Sequence, residues 1–117
     1  MQFIIEHRIT AEDSTNKIYS GRHWSFRKKK ADYWKWLVHQ SLKEQCPKYI
    51  AKKPVMISIS YDSNLDIDNH SYIAKMVIDG MKGYLITDDT RRYVVGLVQK
   101  FHNKGKEKIF VDVEEIY

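Results

Sequence analysis

The chain has 117 residues, 43% of them hydrophobic, which suits a single compact domain spanning 1–117 with one core. No run approaches the ~20 consecutive apolar residues that cross a bilayer, and Glu6 and Arg8 come too early for a secretory signal. Cys46 is the only cysteine, which excludes an internal disulfide. We therefore expect a protein of a reducing, cytoplasmic compartment with no membrane partner.

The net charge of +5 is unevenly distributed along the sequence. Residues 1–60 hold 12 Lys and Arg against 5 Asp and Glu, a balance of +7, whereas residues 61–117 hold 8 against 10, a balance of −2. Cations neutralise phosphates, and clustered acids recruit a metal ion. The two halves together indicate a polyanion bound by one surface beside an acidic centre.

In the first half, the pattern predicts one strand, one loop and one long helix. Gln2–Ile9 alternates loosely as a strand does, and Thr10–His23 has the polar turn chemistry of a loop. Ser25 can cap a helix running from about Phe26 to Gln45, which stops before Pro47. The apolar stripe of this helix is predicted to face the core, which assigns most of the helix's aromatic content to the core. Its members are Tyr33, Trp34, Leu37, Val38 and Leu42.

Two segments of this half are candidates for contact with a polyanion. The run Arg27, Lys28, Lys29 and Lys30 opposes the dipole at the start of the helix, which indicates either phosphate contact or a solvated basic face. The loop before it supplies further candidates, which either contact the ligand or are simply exposed. These are Asn16, Lys17, Tyr19, Arg22 and His23.

In the second half, Pro54–Tyr61 alternates as the clearest strand and leads directly to an acidic stretch. Residues 70–81 have helical spacing with Gly83 as a stop, and His70 is interpreted as a residue on the helix face rather than a ligand. Tyr84–Asp89, if extended, spans about 20 Å at roughly 3.3 Å per residue. The chain can then return along the helix and bring its later acids to its earlier ones.

Tyr93–Phe101 and Lys108–Val113 read as two strands joined in a hairpin by residues 102–106, with Val94, Leu97 and Val98 in the core. The lysines of the connecting loop either contact the polyanion or keep the hairpin soluble. The fold class expected from all elements is α+β, with a small mixed or antiparallel sheet of about four strands and two main helices.

Four acids in this half have a spacing that suits a metal site. If Asp66 and Asp68 lie on an extended segment, their side chains leave the same face, and Asp88 and Asp89 can join them. Converging carboxylates, without a Cys or His pair at ligand spacing, favour Mg²⁺ over zinc. Lys75, about two turns later, can meet the scissile phosphate. The alternative interpretation is an ordinary helix cap and a polar turn.

Three motifs carry a resemblance to a known family. In order, they are Asp66-Ile67-Asp68-Asn69, a helix with Lys75 and Asp79-Gly80-Met81, and Leu85-Ile86-Thr87-Asp88-Asp89. The chain resembles the RusA family of Holliday junction resolvases, whose members have Asp-x-Asp-Asn, Lys-x-x-x-Asp-Ala/Gly-Leu and a later Asp-Asp. The segment 14–19 followed by His23-Trp24-Ser25 is similar to one in phage-type members, which suggests a prophage origin.

The resemblance implies a crossover junction endodeoxyribonuclease that hydrolyses phosphodiesters of branched DNA in recombination and repair. Asp66, Asp68 and Asp89 match the family's metal ligands, Asp88 would be auxiliary, and Lys75 would be the phosphate partner. It further implies Mg²⁺, with Mn²⁺ as a substitute, and no nucleotide cofactor. The cell would be a bacterium, or one infected by a phage.

The expected substrate is a four-way junction, cut by paired symmetric nicks. A homodimer with one acidic centre per protomer supplies such a pair through its two-fold axis, and the resemblance implies the same dimer. Two other functions stay open. One is a non-catalytic DNA-binding module on the same scaffold. The other is a structural Ca²⁺ loop, although the segment lacks the Gly and Glu of an EF-hand.

Overall fold

The computed structural model describes residues 1–21 and 23–116. Arg22, a predicted DNA contact, and Tyr117 lie outside the described residues. The alternating segments form four strands, which are β1 (Gln2–Glu6), β2 (Val55–Tyr61), β3 (Val94–Phe101) and β4 (Lys108–Glu115).

Three α-helices accompany the sheet: α1 (Thr15–Ile18), α2 (Trp24–Gln45) and α3 (Ser71–Met81). Two 3₁₀ turns, Ala11–Asp13 and Ile67–His70, precede α1 and α3. Among the described residues, no helix combines the length and the apolar composition that crossing a bilayer requires.

The sheet is mixed, with the strand order β1-β4-β2-β3. β4 runs antiparallel to both of its neighbours, whereas β2 and β3 are parallel. A parallel pair needs a crossover, and α3 lies in the connection between these two strands. The α+β class with a four-stranded mixed sheet is therefore confirmed. The predicted hairpin is wrong, because β2 lies between β3 and β4 and separates them.

One face of the sheet carries the core. Val111 of β4 lies opposite Phe3 of β1 on one side and opposite Ile59 of β2 on the other, and all three residues are buried. The buried side chains of these three strands therefore point to the same face of the sheet. Buried residues of α2 and α3 complete this core. The two helices approach closely at Gly80, where an added Cβ would lie 2.5 Å from Cγ1 of Val38.

Between β1 and α2 the chain is more ordered than the loop predicted for Thr10–His23. The hydroxyls of Thr10 and Ser14 accept hydrogen bonds from the first turns of the 3₁₀ segment and of α1. β1 ends at Glu6, before the predicted Ile9. α2 starts two residues earlier than predicted, since His23, and not Ser25, is its N-cap.

The segment after α3 is also different from the prediction. Instead of running extended from Tyr84 to Asp89, the chain turns at once, and the amides of Tyr84 and Leu85 both donate to the Met81 carbonyl oxygen at 3.0 Å. Gly83, with a φ of +80°, makes this turn, and Leu85 is buried in the core. The later acids are therefore held near the C-terminal half of α3.

β3 is the edge strand of the sheet, and it does not supply the predicted core. Leu97 and Val98 are exposed and Val94 is only partly buried. Within the described residues, the outer edge of β3 has no strand partner. This leaves an apolar strand with unpaired backbone groups at the border of the molecule.

Candidate metal and DNA site

Asp66 and Asp68 lie in the turn that follows β2, and both are exposed. Over 1–21 and 23–116, neither carboxylate has a hydrogen-bond or ion-pair partner. The premise that Asp66–Asp68 is extended is wrong, because Ile67 and Asp68 belong to the 3₁₀ turn. The two acids are thus presented from one exposed turn rather than from one face of a strand.

His70 holds this turn from inside the protein. Its ring is buried and stacks on Tyr61 with centroids 4.2 Å apart. Nδ1 lies 2.9 Å from the Asp66 carbonyl oxygen, which can only accept, so Nδ1 carries a proton. In the neutral ring Nε2 then accepts from the Ser63 hydroxyl at 2.6 Å. Burial lowers the pKa of His70, which favours this neutral form.

His70 is therefore a buried residue at the N-cap of α3. Its bonds fix the backbone that carries the two unpaired acids. Both of its ring nitrogens bond inside the protein, and its interpretation as a residue other than a ligand stays a prediction.

The N-terminal helix α1 docks on the same turn. The Thr15 hydroxyl donates to the Asn69 carbonyl oxygen at 3.2 Å and accepts from the Tyr72 amide at 3.1 Å. The Asn69 side chain in turn accepts from the Asn16 amide at 3.2 Å. Lys17, one residue further, is exposed on this helix. The docking brings a basic residue of the N-terminal segment to the neighbourhood of the acids.

A second acidic group surrounds Lys82, just beyond α3. Its ammonium nitrogen lies 3.1 Å from Asp79, 3.3 Å from Asp89 and 3.7 Å from Asp88. The hydrogen bonds that Lys82 donates to Asp79 and Asp89 raise the pKa of Lys82, and the bond to Asp89 is the main cause that lowers the pKa of Asp89. Lys75 adds a longer contact of 3.8 Å to Asp79. Three carboxylates do converge here, but on an ammonium group.

A groove of about 410 Å³ lies between α3 and β3. Ser71, Lys75 and Ile78 line it from the helix, Asp89 lines it from the following turn, and β3 forms the opposite wall. The Ser71 hydroxyl donates to the Asp68 carbonyl oxygen at 2.8 Å, so the groove begins beside the acidic turn. Lys75 and Asp89 thus share one groove, whereas Asp66 and Asp68 do not line it.

The described chain does not gather the predicted ligands into one site. No group of three or more His, Cys, Asp or Glu side chains among the described residues is arranged to hold a metal ion. The carboxylates of Asp66 and Asp68, which are unpaired among the described residues, fit a hard cation in their chemistry, since Mg²⁺ is usually held by one or two carboxylates with water and phosphate. The fit does not extend to Asp88 and Asp89, which are paired with Lys82.

The basic run at the start of α2 divides into two kinds of residue. Lys30 lies 2.7 Å from the buried carboxylate of Asp13, and Lys28 is paired with Asp32 at 2.9 Å. Arg27 and Lys29 are exposed, and neither forms an ion pair within the described part of the chain. Arg27 and Lys29 are therefore the members of this run most available to a phosphate.

Sequence reasoning missed several residues in this region. Tyr33, assigned to the core, has 40% of its surface exposed, and Trp36 has 57%. The exposure of Trp36 could have been predicted from its position, since 3.6 residues per turn put it on the side of the helix opposite Trp34 and Val38. The role of Lys82 also went unnoticed, although it lies three residues after Asp79, at a spacing that permits an ion pair.

Comparison of the sequence with protein-family models and with curated proteins finds no match. The resemblance to RusA resolvases therefore stands on the order and spacing of the three motifs alone.

Proposed function

We propose that the protein is a metal-dependent endonuclease of RusA type that cuts branched DNA, such as a four-way junction, in recombination and repair. The observation that carries the proposal is the pair Asp66 and Asp68. These exposed carboxylates, unpaired across the described residues, lie on a turn that buried His70 holds in place. Polar side chains held in this way at the end of a rigid strand suit a functional site better than a mere helix cap.

Asp66 and Asp68 would hold the Mg²⁺, or Mn²⁺ in its place. When bound, the ion polarises the phosphoryl oxygen and lowers the pKa of the attacking water. Lys75 lies in the adjoining groove, where its ammonium would contact the scissile phosphate. Lys17, Arg27 and Lys29 would meet neighbouring phosphates of the DNA backbone. Asp89 would join the metal only after its separation from Lys82.

The proposal includes a homodimer in a bacterial or phage-infected cytoplasm. The free edge of β3 supports it, because an exposed apolar edge is a template for pairing with another strand. β3 has no proline, and Lys100 is its one charged residue. Antiparallel pairing of two β3 strands about a two-fold axis would continue the sheet across the dimer and would put both grooves on the same side.

A second candidate function is a DNA-binding module without nuclease activity. The position of Lys82 favours it, since an ammonium group among Asp79, Asp88 and Asp89 neutralises acids that a three-ligand site would use. Such a module would bind a junction in a salt-sensitive manner and yield no Mg²⁺-dependent product.

One gel separates the two functions. A labelled four-way junction is incubated with and without Mg²⁺, beside a linear duplex of the same sequence, with wild-type protein, Asp68→Asn and the control Glu114→Gln. Glu114 is an exposed acid on β4. If the protein is a nuclease, the wild type and the control should produce paired nicks. Asp68→Asn should then bind the junction without cleaving it. Uncut junction in every lane, with a retarded complex, would favour the module.

A further inference from the structure

The outward side of α2 carries two exposed aromatic rings, Tyr33 and Trp36. Their centroids are 6.4 Å apart, with the ring planes inclined by 36°. Trp36 points away from the core, which α2 contacts through Trp34 and Val38. Packing therefore does not explain an indole at this position, and adjacent exposed rings are typical of a binding surface.

Tyr33 is held in place by a hydrogen-bond chain that runs through His7 to the buried carboxylate of Asp13. Its hydroxyl lies 2.9 Å from Nδ1 of His7, whose Nε2 lies 2.9 Å from Asp13, and Asp13 has only 1% of its surface exposed. The ionised Asp13 accepts from Nε2 of His7, and Nδ1 of the same ring bonds the Tyr33 hydroxyl. Lys30 also donates to Asp13, at 2.7 Å. A half-exposed ring is thus fixed in orientation before any ligand arrives, which lowers the entropy lost on binding.

Cationic side chains lie on the same side of the helix as the rings. Lys29, Tyr33 and Trp36 have the i, i+4, i+7 spacing of one helical face. Lys29 and Tyr33, with His7, line a shallow cavity of about 410 Å³. The helix as a whole, residues 24–45, has six Lys and Arg against two Asp and Glu, a balance of +4. This charge complements a polyanion rather than a second copy of a chain that is itself basic.

We propose that Lys29, Tyr33 and Trp36 form a stacking platform for single-stranded nucleic acid, with unpaired bases on the two rings and a phosphate at Lys29. Bases inside a duplex already stack on each other, so exposed rings select strands whose bases are free. The inference rests on the proposed function in taking DNA as the ligand, and it adds that the substrate has an unpaired segment.

The test measures binding alone, by fluorescence anisotropy of a labelled oligothymidylate and of a duplex of equal length, with EDTA present. The variants are Trp36→Ala and Tyr33→Ala. Tyr49→Ala is the matched control, because Tyr49 is exposed to 41%, against 40% for Tyr33, and lies outside α2. Each platform variant should bind the oligothymidylate about tenfold more weakly, with little change for the duplex, since stacking contributes about 1–3 kcal/mol per base.

Two further variants assign the roles within the platform. Tyr33→Phe keeps the ring and removes the bond to His7, so it should lose less affinity than Tyr33→Ala. Lys29→Ala should lower the slope of affinity against salt concentration by about 0.7, the value for one phosphate contact on a single strand. Thermal unfolding of Trp36→Ala and Lys29→Ala should match the wild type within a few degrees, because these two side chains face solvent.

The proposal is overturned if Trp36→Ala binds the oligothymidylate as tightly as the wild type, or if Tyr49→Ala weakens binding equally. It is also overturned if Trp36→Ala changes the sedimentation of the protein alone, which would assign the rings to a protein interface. The nuclease proposal fails through a different result. An uncut junction together with intact oligothymidylate binding would contradict the nuclease activity and would still support the stacking platform.

Discussion

The ammonium nitrogen of Lys82 lies 3.3 Å from a carboxylate oxygen of Asp89, the residue that the sequence motifs assign to a metal ion. Asp79 and Asp88 face the same nitrogen. An internal cation therefore neutralises one part of the acidic centre, while Asp66 and Asp68 stay unpaired in the described chain. The acidic stretch consists of two groups with different chemistry.

The first prediction concerns this pairing. Lys82→Met removes the cation that is the main cause of the lowered pKa of Asp89, so that pKa should rise toward the ordinary value of 3.8. A carboxyl NMR titration of the wild type and the variant measures the shift. Lys75→Met, which contacts only Asp79 among these acids, serves as the control and should leave Asp89 unchanged. An unaltered Asp89 titration in Lys82→Met would contradict the assigned ion pair.

Periodicity and capping residues predicted the elements that are locally determined. The alternation of Val55–Tyr61 and the helical spacing of 70–81 were sufficient for β2 and for α3. Strand pairing depends on contacts distant in sequence, so the position of β2 between β3 and β4 left no local signal.

The candidate site was predictable in composition but not in geometry. The spacing identified Asp66 and Asp68 as unusual, yet the turn at Gly83 decides where Asp89 lies. That turn depends on the burial of Leu85 in a core that only the complete fold creates. The helical spacing of 70–81 puts His70 on the same face as the buried Ile73 and Val77. Its contacts with Tyr61 and Ser63 could not be predicted, because these residues precede the helix on other segments.

The second prediction concerns the support of the acidic turn. His70→Leu keeps an apolar body in the core but leaves the Asp66 carbonyl oxygen and the Ser63 hydroxyl without their partner. We expect a loss of about 2 kcal/mol in the free energy of unfolding, the usual effect of unsatisfied buried polar groups. Urea denaturation measures it. Hydrogen exchange of the 67–70 amides should also become faster. His39→Leu on α2 is the control and should have a small effect on both quantities.

The third prediction is the acid sensitivity that Asp13 confers. Burial alone raises the pKa of Asp13, but hydrogen bonds from His7 and Lys30 outweigh burial and bring it from 3.8 to about 2. Because the folded pKa is below the unfolded one, the carboxylate contributes stability above about pH 4 and loses it as the pH falls toward 2. The difference corresponds to about 2 kcal/mol.

Asp13→Asn should therefore be less stable than the wild type at pH 7 by at least about 2 kcal/mol, since it leaves the Lys30 ammonium without its partner. Between pH 5 and pH 2 its stability should fall less steeply than that of the wild type. Urea unfolding at several pH values measures both. Asp32→Asn removes an exposed acid paired with Lys28 and should change stability by less than ~1 kcal/mol. Parallel pH profiles for wild type and Asp13→Asn would refute the assigned role.

The fourth prediction tests the edge of β3 as the dimer contact. Val98 is exposed on this strand, and a lysine on an edge strand opposes edge-to-edge pairing with another strand. If the proposed dimer forms through this edge, the wild type sediments as a dimer and Val98→Lys should sediment as a monomer at the same concentration. Ile50→Lys, a substitution of a similarly exposed apolar residue in the loop before β2, should leave the wild-type assembly intact. Under the proposed function a monomer would still nick a junction, but its two nicks would become independent events. Val98→Lys should accordingly release singly nicked junctions that the wild type does not accumulate. If Val98→Lys stays dimeric and cuts in pairs, the dimer forms through another surface, and the free edge of β3 has no part in it.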